Sequence, residues 1–71
     1  MVEQEIKISI DNNIVGGMYS NFAMISHSEN EFVVDFIFIH PPAGKVNSRI
    51  VMSPSHAKRF LKALAQNIDI F

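Results

Sequence analysis

The sequence has 71 residues, six Lys and Arg against seven Asp and Glu, and a formal net charge of -1, which allows one domain and argues against a strongly basic nucleic-acid module. Hydrophobic residues make up 48% and charged residues 18%, the balance of a globular chain rather than a disordered one. The lack of cysteine excludes a disulfide-stapled secreted scaffold, a thiol nucleophile and a thiolate metal site.

The N-terminus reads Met1, Val2, Glu3, Gln4, Glu5, acidic where a signal peptide is basic. In residues 5–10, Ile6, Ile8 and Ile10 point one way and Glu5, Lys7 and Ser9 the other. This period of two predicts a half-buried first strand. Asp11, Asn12 and Asn13 favour a turn, and Gly16 and Gly17 admit positive φ before the next element. Residues 18–26 are predicted as a second strand, with Phe22 and Met24 on the face of Ser20 and Ser26, and Tyr19, Ala23 and Ile25 on that of Asn21. His27, Ser28, Glu29 and Asn30 read as a hairpin turn.

Residues 31–40 make the strongest strand. Phe32, Val34, Phe36 and Phe38 line one face; Val33, Ile37 and Ile39 line the other, interrupted by Asp35. A strand apolar on both faces calls for cover on both. No apolar run exceeds four residues, as at Phe36, Ile37, Phe38 and Ile39, which is too short for a membrane span. Pro41, Pro42, Ala43, Gly44 and Lys45 end the strand, because proline cannot donate to a ladder. A return strand is predicted over 46–52, with Arg49 on the side of Asn47 and Val51.

Ser53 and Pro54 open a helix, as N-cap and first-turn proline. It is predicted over about 54–68, with Ala57, Phe60, Leu61, Leu64 and Ile68 as one apolar stripe and Lys58, Arg59, Lys62 and Gln66 away from it. The expected fold is therefore α+β in a single domain. A four-stranded antiparallel sheet, about residues 5–52, carries one C-terminal helix packed on one face, in the order β-β-β-β-α. In that packing Phe60 is core, and Phe60→Ala costs about 3–5 kcal/mol.

Several blocks occur in order along the chain: Gly17-Met18-Tyr19-Ser20-Asn21; Ser26-His27-Ser28 followed by Glu31-Phe32 and Asp35-Phe36; Ser48-Arg49-Ile50-Val51-Met52-Ser53-Pro54; His56-Ala57-Lys58-Arg59; then Leu61, Ala63-Leu64 and Asn67-Ile68. Together, over about residues 6–68, they resemble the small bacterial family catalogued as domain of unknown function 3467. The resemblance implies a bacterial cytoplasmic protein. Because members are encoded near RNA polymerase large-subunit genes in some bacteria, it also implies a transcription-linked context. It implies no established reaction. The strand-then-helix order is similar to that of secretion-chaperone (SecB-like) subunits, an analogy at the level of fold.

Asp35 is the one acid within the doubly apolar strand. As a buried base it would have a raised pKa; as a structural partner it would pair with Arg49 on the next strand, and an interface contact is the third reading. Both numbers are odd, so an even pairing sum puts them on one face, where the Arg fork satisfies both carboxylate oxygens. The ion pair is the expected arrangement. His27, His40 and His56 lack metal-ligand spacing on a helix, and no Ser stands in a Gly-x-Ser-x-Gly elbow. Gly16-Gly17 lacks the further Gly, the Lys and the helix of a phosphate cradle. No catalytic residue, metal or cofactor is expected.

Lys58, Arg59 and Lys62 form a basic stripe, extended by Lys45 if its loop lies close. It reads as a solvated helix face before it reads as a set of phosphate contacts. Tyr19 and Phe22 have the chemistry to stack on bases, but Phe22 is expected in the core. The expected function is a non-enzymatic protein-interaction module. The chain is too short for a deep pocket and has a surplus of apolar strand surface. Tyr19, Asn21, Asp35, Arg49, His56, Lys58, Arg59 and Lys62 are its candidate interaction residues. A SecB-like holdase and a weak nucleic-acid-binding protein are the alternatives. The expected partners are a second copy, in a two-fold dimer that either packs sheets face to face over Val33, Ile37 and Ile39 or joins edge strands across the axis, and an unidentified protein; neither nucleic acid nor membrane is expected.

Overall fold

The computed structural model describes residues 4–71; Met1, Val2 and Glu3 of the acidic N-terminus lie outside them. Three strands, β1 (Phe22–His27), β2 (Phe32–His40) and β3 (Ala43–Met52), form one antiparallel sheet in the order β1-β2-β3, and a helix α1 (Pro54–Ile70) follows. The class is α+β, with three strands where four were expected.

The predicted first strand is the one missing. Residues 5–10 have no ladder partner, and Ile6, Ile8 and Ile10 are 84%, 93% and 59% exposed. The cause lies in the next residues. Asp11 O accepts from Ile14 N at 3.0 Å while Asp11 Oδ1 accepts from Asn13 N at 2.9 Å, and Ile14 O then accepts from Gly17 N at 3.0 Å. Gly17 closes these two turns at a φ of 75°, where a side chain would be strained. The strand-patterned segment is thereby carried off the sheet. The second predicted strand also starts late, at Phe22, because residues 19–21 are tied down by side-chain hydrogen bonds instead of a continuous ladder.

Ser28 N donates to Glu31 O at 2.9 Å in the expected hairpin turn between β1 and β2. The β2–β3 turn is shorter than predicted. Pro41 and Pro42 alone form it, and His40 already pairs with Ala43, so β3 begins at 43 rather than 46. Glycine helps at 44, where a Cβ would meet Ile39 Cγ1 at 3.3 Å. Between Phe36/Ile37 on β2 and Ser48/Val46 on β3 the register shifts, leaving Asn47 as the extra residue of a bulge. Asn47 therefore does not share simple parity with Arg49.

The register puts Ala23, Ile25, Phe32, Val34, Phe36, Ile50 and Met52 on one face, and Phe22, Met24, Val33, Asp35, Ile37, Arg49 and Val51 on the other. Among the described residues only Val34 and Ile37, 7% and 8% exposed, are buried apolar residues, one on each face. Phe22, expected in the core, is exposed beside Ile37.

Ser53 caps α1 as predicted: its Oγ accepts from His56 N at 3.2 Å, with Pro54 in the first turn. The helix runs on to Ile70, past the predicted 68. Ala57, Phe60, Leu61 and Leu64 turn toward Phe32, Val34 and Phe36, but they enclose an open groove of about 350 Å³ rather than close-packing. No residue of the helix is buried. Phe60, at 43% exposure, is a groove wall and not the expected core anchor. Phe38 is absent from that groove and lies beside Tyr19 and His40.

Ile37→Ala is expected to cost about 2–5 kcal/mol in urea unfolding followed by circular dichroism, because it empties a buried position. Phe60→Ala should cost less than Ile37→Ala in the same measurement.

Candidate functional site

Asp35 and Arg49 are directly opposed across β2 and β3. Arg49 Nε donates to Asp35 Oδ1 at 2.7 Å and Arg49 Nη2 to Oδ2 at 2.9 Å, a bidentate fork. The carboxylate side chain is 14% exposed, while the guanidinium looks out to solvent. The hydrogen bond from Arg49 holds the Asp35 carboxyl below its ordinary value, burial working against it and the Arg49 charge adding to it. A general base at neutral pH needs the opposite shift, so the structural pairing is the arrangement present.

A second cluster organises residues 17–21. Asn21 N donates to Ile37 O at 3.1 Å, and the Asn21 side chain continues the pattern: its Oδ1 accepts from Ile39 N at 2.8 Å and its Nδ2 donates to Ile39 O at 2.9 Å. The amide thus imitates one more strand residue beside β2. Ser20 Oγ lies 3.0 Å from Phe22 O and 3.1 Å from Ile37 O, sharing one proton between two carbonyls. Asn47, the bulged residue, donates from Nδ2 to Tyr19 O at 2.8 Å. Asn21 is therefore bound up in the sheet. Tyr19 is held by its backbone, its ring exposed and 6.0 Å from that of Phe38. Ser20 and Asn47 were not among the sequence candidates. The available signal was a polar residue breaking the alternation of an otherwise apolar strand.

Lys58, Arg59 and Lys62 are exposed on α1 and make no salt bridge among the described residues. Lys45 stands on β3 opposite Phe38, in a strand and not in a loop beside the stripe. His56 sits in the first helical turn with its side chain exposed. His27 stacks on Phe32 at 5.4 Å and His40 lies against Phe38 at 6.4 Å. Among the described residues no three of His, Asp or Glu converge as a metal site. The candidate residues thus fall into separate places: Asp35 and Arg49 on one sheet face, Tyr19 and Asn21 at the entry to β1, and the cations and His56 on the helix.

The apolar groove under α1 contains no titratable group. A second groove, of about 400 Å³, lies on the same sheet face, where Ile14 and Met18 approach Phe36, Ser48 and Ile50. Its polar groups are Ser20, Ser48 and Asn47, again with no acid, base or cation. Both are suited to apolar contact and neither holds the acid–base pair that hydrolytic or transfer chemistry uses.

A family model described as "Protein of unknown function (DUF3467)" matches residues 1–71, the whole chain. No curated protein and no solved structure matches it. Among the described residues, no helix is long and apolar enough to cross a membrane.

Because Asp35 is depressed in the folded state, its contribution to stability is complete above the ordinary carboxylate pKa, about 4, and is lost as pH falls through the lower folded value. The stability difference between the parent and Asp35→Asn is expected to be flat from about pH 5 to 8 and to shrink below about pH 4. Asp35→Asn and Arg49→Gln together should cost less than the sum of the single changes. Asn21→Ala, which removes two hydrogen bonds to Ile39, is expected to cost about 1 kcal/mol in urea unfolding.

Proposed function

The chain belongs to the DUF3467 family, and we propose that it is a non-enzymatic protein-interaction module. The observation that supports this is its uncovered apolar surface. The accessible area is 6959 Å², whereas a folded monomer of 8.0 kDa exposes about 4,500 Å² by the scaling of surface with mass. The radius of gyration is 15.5 Å against about 11 Å for a compact domain of this length. Ile25, Leu61, Leu64 and Ile68 are among the exposed apolar residues, and the groove walled by Leu61 and Leu64 suits an amphipathic segment of another protein. The transcription-linked context of the family makes RNA polymerase assemblies the first partner to test.

The test is photocross-linking in the native host from a probe at Leu61, an exposed groove wall. Recurrent cross-links to one heterologous protein, lost in Leu64→Asp, are expected. Cross-links to copies of this chain alone would overturn the reading. Cross-links scattered over many unfolded chains would replace it with the SecB-like holdase. Oligonucleotide binding with a steep salt slope, removed by Lys58→Gln, Arg59→Gln and Lys62→Gln together, would replace it with a nucleic-acid binder.

A further inference from the structure

Residues 5–10 alternate like a strand and have no strand to pair with. Leaving Ile6, Ile8 and Ile10 in water forfeits about 1.5–3 kcal/mol of burial at each isoleucine. The same subunit has two free sheet edges, and they are not equivalent. The β3 edge carries Lys45 and the Asn47 bulge, devices that blunt an edge against further pairing. The β1 edge, Phe-Ala-Met-Ile-Ser-His, has no Lys, Arg, Asp, Glu or Pro, and its pairing to β2 runs without a register shift. It is six residues long, the length of the segment 5–10.

The subunit's own segment is routed away from that edge. Asn47 of β3 holds Tyr19 O, and Ile14 and Met18 lie over Ser48 and Ile50 of β3. The chain therefore reaches β1 from the β3 side of the sheet.

We infer that residues 5–10 pair in trans with the β1 edge of a second copy, and that two copies exchange these segments reciprocally in a two-fold dimer. Each sheet then gains its fourth strand from the other subunit. Ile6, Ile8 and Ile10 would lie on the side of Ala23 and Ile25, widening the floor beneath α1, with Glu5, Lys7 and Ser9 on the opposite side. Reciprocal exchange uses every donor and every acceptor, so growth stops at two.

Light scattering and isotope-filtered NMR on the full chain test this. At low micromolar concentration the parent should have twice the mass of the chain. An equal mixture of labelled and unlabelled protein should show intermolecular contacts between residues 5–10 and 22–27. Ile8→Pro, a change at an exposed residue, should give a monomer with unchanged helix content. A monomeric parent, a dimer that survives Ile8→Pro, or intermolecular contacts joining β1 to β1 would each overturn the exchange. None of these results depends on what cross-links to Leu61, so the exchange and the interaction-module reading fail separately.

Discussion

β2 is apolar on both of its faces, and both other strands pair with it. Among the described residues the two buried ones, Val34 and Ile37, belong to it and point to opposite sides. A sheet built on such a strand needs a layer above and a layer below. The chain supplies one 17-residue helix, which skirts one face and leaves a groove. The exposed helix stripe, the open grooves and the large accessible area all follow from that shortage of layers. With burial this thin, stability rests on contacts that a larger domain could spare.

Polar groups do much of the positioning in place of a core. Asn21 extends the β1–β2 ladder by one rung, Ser20 ties the same corner, and Asn47 reaches from the bulge to Tyr19. The Asp35–Arg49 fork pins β2 against β3 just before the register shift. Exposed hydrogen bonds and ion pairs each contribute modestly to net stability, but they discriminate sharply between registers. A one-residue slip of β3 would part Asp35 from Arg49 and put every strand side chain on the wrong face. The family block Gly17-Met18-Tyr19-Ser20-Asn21 thus has a structural reading: a turn glycine followed by a clasp.

Where one residue type does one job, the sequence was legible. Ser53 with Pro54 marked the helix start, the 27–30 cluster marked the hairpin, and equal parity matched Asp35 with Arg49. The apolar pattern identified both faces of β2 and the helix stripe, while the choice of the Phe32/Val34/Phe36 face was visible only in the structure. Three features were not legible, each for its own reason. Alternation in residues 5–10 reports a preference for pairing and does not show that the turns at 11–17 carry the segment off its own sheet. Two adjacent prolines mark a turn, but not that the ladder resumes at the very next residue. A helical stripe shows which side is apolar, while the distance at which it sits depends on the length of the connection; here Ser53 alone separates β3 from α1. The clasp was hidden for a related reason, since Asn21 and Asn47 look like ordinary strand polar residues until the bulge at Asn47 is known.

Two modes of self-association would relieve the exposed sheet, and the charged pair separates them. Stacking two sheets through the Met24/Asp35/Ile37 face would drive Arg49 out of solvent. Removing a charged pair from water costs several kcal/mol per ion before any attraction is regained, and a bidentate pair already satisfied within one subunit has little left to gain. Pairing along the β1 edge disturbs neither Asp35 nor Arg49, because that edge lies on the far side of β2 from Arg49. It meets the need of the unpaired isoleucines and satisfies the free backbone groups of β1 in one step. It also leaves the outer flank of α1, with Lys58, Arg59 and Lys62, and the mouth of the groove open to a different protein. On the proposed exchange, the distribution of charge over this small sheet would leave self-association to one edge and the helix side to other partners.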